Sequence, residues 1–201
     1  MRGFVSFAVV LLASVAGLCH ADAADARDFR IRSHLVSCVP YVAQSSPRTC
    51  GAAALAMLLS YWDNPTSEGD VLKLHPEIAD RGTWVPLLWQ VPQKAAFKVE
   101  YGEGSEKCLK QLLRTNRPVI VFQWAQPKVK RPHMRVVVGY DDVAEVFIVN
   151  DPGAPKGERM RIAYREFEKL WEIPWFTADD GSRKSHLYVA VLGRRNADDV
   201  R

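Results

Sequence analysis

The stretch from Val39 to Trp62, VPYVAQSSPRTCGAAALAMLLSYW, constrains this chain more than any other. An extended Val-Pro-Tyr-Val segment leads through a Ser45-Ser46-Pro47 turn into a helix. Thr49 fits the N-cap, where its hydroxyl accepts from an otherwise orphan backbone N–H of the first turn. From Cys50 onward, positions 50, 53, 54, 57, 58 and 61 hold Cys, Ala, Ala, Met, Leu and Tyr. That spacing predicts an amphipathic helix with one buried stripe. The small residues Gly51 to Ala54 let its first turn pack close to whatever lies opposite. Cys50 thus sits at a helix N-terminus, where unpaired N–H groups favour a thiolate. Gln44 places an amide donor on the loop ahead of it. These are parts of an acyl-transfer site that still needs a base.

The rest of the chain alternates helices and strands. A second short helix is expected from Ser67 to about His75, and a third, capped by Thr83, from Trp84 to Ala96 with a kink or break at Pro92. Phe97–Tyr101 alternates like a half-buried strand, Ser105–Leu113 is helical, and Val119–Trp124 is a strand. Residues 125–132, AQPKVKRP, look like a basic, proline-bounded loop, and 133–140 and 143–149 like strands joined by a turn at Asp141-Asp142. A helix at Tyr164–Trp171 and a strand at Ser185–Leu192 close the chain. Helices lead and antiparallel strands follow, so the expected class is α+β, a helical half packed on a sheet.

Among five histidines, His133 stands apart because it begins a strongly apolar strand directly after a long loop. Around the Asp141-Asp142 turn, position 133 falls opposite roughly position 150, which brings Asp151 near it. A carboxylate there holds the imidazole tautomer whose other nitrogen takes a thiol proton. Alone, His133 reads as a histidine bonded to a loop carbonyl, and Asp151 as a residue of an Asn-Asp-Pro-Gly turn. Together with Cys50 they form a Cys-His-Asp set.

The 201 residues suit one domain, and 48% hydrophobic with 25% charged residues describes an ordinary globular chain. A net charge of +4 does not by itself point to nucleic acid, which calls for Lys and Arg clustered on one face. Arg2, the uncharged run Phe4–Leu18 and the small-x-small sites at Ala21–Ala23 and Ala24–Ala26 form a secretory signal pattern, expected to end at residue 23. The run is shorter than the roughly 20 apolar residues a spanning helix needs. Residues 24–34 are expected to form a mobile N-terminus, 35–193 the domain and 194–201 a polar tail. The exported chain keeps Cys38, Cys50 and Cys108, an odd number in a compartment that favours disulfides. Either Cys38 and Cys108 pair and leave Cys50 free, or all three are small buried residues.

Gln44, Cys50-Gly51 with its Ala-rich helix, His133 before a Val-rich strand ending Gly139-Tyr140-Asp141, and Asp151-Pro152 together resemble the papain-like bacterial peptidases. Closest are the bacteriocin-processing, double-glycine leader peptidases of cysteine-peptidase family thirty-nine. The resemblance spans about residues 36–192. It implies a papain-like fold, Cys50 as nucleophile, His133 as general base and acid, Asp151 as orienter and Gln44 as oxyanion donor. It also implies no cofactor and a peptide or protein substrate such as a leader peptide. Two features depart from the family. The best-known members are fused to a transporter, whereas this chain carries a signal pattern and neither a membrane domain nor an ATPase. Met134-Arg135 stands where an apolar pair is usual. Arg135, on the same strand face as His133, could oppose a protonated imidazole or bind an acidic substrate group, and the favoured expectation is the sheet rim. A peptide-binding module on the same fold without turnover is the alternative. A metal site on Cys38, Cys50 and a histidine lacks the close cysteine spacing of structural zinc.

Overall fold

The computed structural model describes residues 31–176 and 183–195; the expected signal segment and most of the polar tail lie outside them. Its centre is helix α1 (Cys50–Tyr61), in which every residue from Cys50 to Leu59 is buried. The expected single stripe is therefore replaced by a helix covered all round. The sheet strands β3 (Val119–Gln126) and β4 (Val129–Asp141) lie against it, as do α2 (Glu68–Leu74) and α4 (Leu87–Lys94). Its four alanines permit that enclosure, since they let neighbours approach from several directions without loss of packing density.

The sheet has seven strands in the order β2 (Phe97–Glu103), β9 (Leu187–Arg194), β3, β4, β5 (Val146–Asn150), β6 (Met160–Ala163). The short β1 (Ser33–Leu35) also pairs with β4. All pairings are antiparallel, so the architecture is α+β as expected. Helices α5 (Glu106–Arg114) and α6 (Tyr164–Trp171) pack on the sheet, a short α3 (Glu77–Arg81) follows α2, and β7 (Trp175–Phe176) pairs with β8 (Arg183–Lys184) apart from it.

Several local expectations change. Helix α2 begins with a full capping box between Ser67 and Asp70. Helix α4 starts at Leu87 after Pro86 and runs through Pro92 to Lys94, so Thr83 caps nothing. Residues 125–132 are not a loop: β3 and β4 continue as a hairpin arm past Trp124↔Pro132 to Gln126↔Val129, with a register shift between Trp124 and Gln126. Strand β5 begins only at Val146, and a second register shift lies between Val137 and Gly139 on β4. Asn150 is consequently paired with Val136, not with His133. Asp151, one residue further, comes level with Arg135.

Candidate active site

Cys50 is the first residue of α1, and the turn before it is built unlike an ordinary cap. Thr49 Oγ1 makes no bond to the first helical turn. It donates instead to Ser46 O (3.1 Å) and accepts from Ser46 N (3.2 Å), closing the 46–49 turn on itself. The N–H groups of Cys50, Gly51 and Ala52 therefore have no acceptor among the described residues, and the first intrahelical bond is Ala53 N to Thr49 O. Leaving the cap out keeps the positive end of the helix free for a developing anion. Gly51 is required here because Thr83 packs directly on it: an added Cβ would stand 2.6 Å from Thr83 Cβ and Cγ2.

His133 and Asp151 meet through a 2.7 Å hydrogen bond between Nε2 and Oδ1. With Nε2 engaged, Nδ1 is the ring nitrogen left for the thiol. Cys50 Sγ lies 3.4 Å from Met134 Sδ, and its hydrogen bonding to the His133 ring also acts on the imidazole. Cys50 and His133 are each only 5% exposed and Asp151 4%. Burial opposes charge on His133, but the hydrogen bonds to Asp151 and Cys50 and the Asp151 charge outweigh it, so the imidazole binds its proton more tightly than usual. Burial likewise opposes ionisation of Asp151. The hydrogen bond from His133, the Arg135 charge, the His133 charge and the Gly153 N–H reverse this and hold the carboxyl far below the ordinary range.

Arg135 is the largest departure from expectation. It is not at the rim but 4% exposed, with Nε 2.8 Å from Asp151 Oδ2. The register shift on β4 explains the meeting, because Asp151 arrives opposite position 135 rather than 133. Three further residues hold Asp151. Tyr41 Oη donates to its carbonyl at 3.1 Å, Gly153 N donates to Oδ1 at 2.8 Å, and Asp151 N donates to Gly157 O at 2.8 Å. Gln123, fully buried opposite His133, joins Arg135 to the Phe167 carbonyl of α6. Sequence reasoning missed Tyr41, Gly157 and Gln123, whereas for Arg135 it gives the strand face shared with His133 but not the burial.

Gln44 is brought to the same place by its backbone, whose N–H donates to Pro152 O at 2.9 Å. Its Nε2 donates to Ser46 O at 2.6 Å, and one N–H of the amide remains. Its Oε1 is buried with no partner among the described residues. Gly153 is hemmed in by both groups: a Cβ there would stand 3.0 Å from Gln44 Oε1 and from His133 Cε1.

The remaining sequence candidates lie elsewhere. Cys38 is a free, exposed thiol at φ 60°, and Cys108 is buried and disulfide-bonded, so the possible Cys38–Cys108 bridge is not made, and the three cysteines are not all buried either. His34 sits in β1 and His75 beside Glu77. His186 joins Ser185 Oγ (2.6 Å on Nδ1) to Glu168 (2.9 Å on Nε2), a relay with the outward form of a hydrolytic site. The Glu103 carboxylate lies against Ser185 N and Oγ, where an oxyanion would need donors, so this relay fastens β9 to its neighbours. Among the described residues no group of His, Cys, Asp and Glu is arranged to hold a metal ion, and no helix is long and apolar enough to cross a membrane.

The sequence model of the Peptidase_C39 like family matches residues 36–177, the segment from just after β1 through β7 that carries Cys50, His133, Asp151 and Gln44. The chain belongs to the Peptidase_C39 like family. It is a cysteine peptidase of papain-like fold. Among solved structures it is similar to a putative C39-like peptidase from Bacillus anthracis, with 19% identity, 82% of this chain and 99% of that one covered, and a TM-score of 0.62. It is also similar to the peptidase domain of Streptococcus ComA, a bifunctional ABC transporter involved in quorum sensing. That match has 19% identity, 78% and 99% coverage and a TM-score of 0.56. A third, a double glycine motif protease from an AMS/PCAT transporter in complex with the leader peptide, shows 18% identity, 79% and 94% coverage and a TM-score of 0.56. At these identities the likeness is one of fold. No curated protein matches the sequence.

Proposed function

We propose that this C39-like peptidase cleaves a peptide bond through a thioester on Cys50, with His133 and Asp151 as its acid–base pair. The observation that carries the reading is the Nε2–Oδ1 bond of 2.7 Å between His133 and Asp151. It fixes the tautomer that presents Nδ1 to Cys50. His133 takes the thiol proton, and the Cys50 sulfur adds to the scissile carbonyl carbon. The oxygen that becomes negative is received by the uncapped N–H groups at the start of α1 and by the remaining amide N–H of Gln44. The C–N bond then breaks as His133 gives its proton to the leaving amine, and a thioester remains. Water, deprotonated by His133, adds to the thioester, and collapse releases the acid and restores the thiol.

The substrate we propose is an exported peptide or protein, such as one carrying a leader segment. The double glycine motif protease seen with a leader peptide supports this by its fold. The secretory pattern of residues 1–23 supports a reaction outside the cytoplasm, in the periplasm or beyond. The test is turnover of a peptide library by the purified protein, with products sequenced by mass spectrometry. Cleavage should vanish in Cys50→Ala, and a hydroxylamine quench should give a hydroxamate of the N-terminal product. Cleavage that persists in Cys50→Ala, or no cleavage of any peptide, refutes the reading.

A further inference from the structure

Arg135 makes four hydrogen bonds and none of them reaches solvent. Nε donates to Asp151 Oδ2 (2.8 Å), Nη1 to Gln123 Oε1 and Trp124 O (3.1 Å each), and Nη2 to Ala125 O (2.8 Å). Two of these acceptors are consecutive carbonyls at the register shift between Trp124 and Gln126. A register shift interrupts the ladder there, and these two carbonyls accept from the guanidinium. The chain has thus bent the base of its hairpin arm to satisfy one buried guanidinium.

We propose that Arg135 is a positioning residue of the site: it clamps Asp151 Oδ2 so that Oδ1 stays on His133, and it ties both to the base of the β3–β4 arm. The proposal rests on the reading of Cys50, His133 and Asp151 given above.

Charge balance supplies the reason. With a neutral thiol and imidazole, Asp151 and Arg135 cancel. After the proton moves from Cys50 to His133, thiolate, imidazolium, carboxylate and guanidinium still sum to zero. Transfer within the site cannot alter its net charge; Arg135 makes that charge zero rather than a single negative one, which a site this well buried tolerates best. Without Arg135 the resting site would hold an uncompensated carboxylate, and Asp151 alone would grip the imidazolium proton that the leaving amine must receive. The charged and titratable groups facing the ring are Cys50 from α1, Asp151 from the turn after β5, and Arg135 from its own strand. Tyr41 faces Asp151 from the far side, through the backbone carbonyl. The Arg135 charge acts on His133 against protonation, opposite in sign to Asp151.

Arg135→Lys and Arg135→Met separate the fork from the charge. Two quantities are read on the full chain: the His133 midpoint from ring-proton NMR, assigned with His133→Gln, and the iodoacetamide rate at Cys50 relative to exposed Cys38. Arg135→Met should raise the His133 midpoint by about one pH unit or more, the scale of a neighbouring charge. Arg135→Lys should leave the midpoint within about half a unit of wild type while slowing Cys50 by about tenfold, as an Asp151 still bonded to His133 but less firmly held lets the ring drift from its angle to the thiol. If Arg135→Met does not fold, the rate in Arg135→Lys decides. A purely architectural Arg135 predicts lower melting temperatures with the wild-type His133 midpoint and Cys50 rate in every folded variant, and that result overturns the proposal. Wild-type Cys50 reactivity that ignores His133→Gln would instead refute the underlying function.

Discussion

Gly157→Ala tests how finely the loop after β5 places Asp151. Gly157 lies far from Cys50 in sequence and touches no reacting atom, yet an added methyl would overlap the Asp151 carbonyl outright. It would also stand 2.9 Å from the Asp151 carbonyl carbon and 2.8 Å from Tyr41 Oη. Carbon–carbon contacts prefer about 3.5–4.0 Å, so the carbonyl carbon alone demands a retreat of roughly 0.6–1.1 Å, and the overlapped oxygen demands more. Two bonds resist that retreat, Asp151 N to Gly157 O and Tyr41 Oη to Asp151 O. The same movement drags Pro152, whose carbonyl holds the Gln44 N–H. Overpacking of this kind costs about 1–3 kcal/mol. For a chain of this size that lowers Tm by roughly 2–12 °C. A displacement near 1 Å costs reactivity about a hundredfold. The assays are peptide turnover and the Cys50 alkylation rate, with a thermal melt alongside. Gly69→Ala is the control: Gly69 is exposed in α2, its nearest neighbour to an added Cβ is Ser67 Oγ at 3.6 Å, and turnover should not change. Helix propensity should make that control more stable by about 0.5–1 kcal/mol. Wild-type turnover in Gly157→Ala would refute the claim that this turn positions the carboxylate.

Other consequences can be measured separately. Asp151 ionises more readily folded than unfolded, so its contribution to stability is present above the unfolded value of about 3.9 and is lost as pH falls through the lower folded value. The Tm gap between wild type and Asp151→Asn should therefore be flat above about pH 5 and close in acid. His133 has the opposite sign: its contribution is complete below about pH 6.5 and disappears as pH rises through its raised folded value. Melts of wild type against His133→Gln across neutral pH should show that gap narrowing. Cys38→Ser should keep full turnover, because that thiol is exposed and free of the site. Met134→Leu removes the sulfur 3.4 Å from Cys50 Sγ. As a volume-conserving core change it should cost less than about 1.5 kcal/mol in a denaturant titration and leave Cys50 reactive.

What could be read in the sequence was what local pattern controls. The start of α1 at Cys50, the helices beginning at about Ser67 and Ser105, and the order of helices before strands all follow from residues close together in the chain. So did the partnership of His133 with Asp151, although for an incomplete reason. The hairpin register assumed a tight turn at Asp141-Asp142, whereas β5 starts at Val146 and β4 is bulged, which moves Asp151 from His133 to Arg135. Its carboxylate reaches both. Bulges leave little trace in alternation, and so the buried Arg135 looked like a rim residue. Thr49 matched a cap by type but spends its hydroxyl on Ser46. Tyr41 and Gly157 were invisible because their contacts with Asp151 span the fold. The Cys38–Cys108 pairing came from parity among three cysteines, and parity carries no distance.

The most direct test of the account is the alkylation rate of Cys50 against Cys38 between pH 6 and 8, mapped by mass spectrometry in wild type and His133→Ala. Cys38 is exposed and Cys50 almost wholly buried, so accessibility alone favours Cys38. The account predicts that Cys50 nevertheless reacts faster in wild type and falls below Cys38 once the imidazole is removed. Slower labelling of Cys50 in both proteins, unaffected by His133, would contradict it.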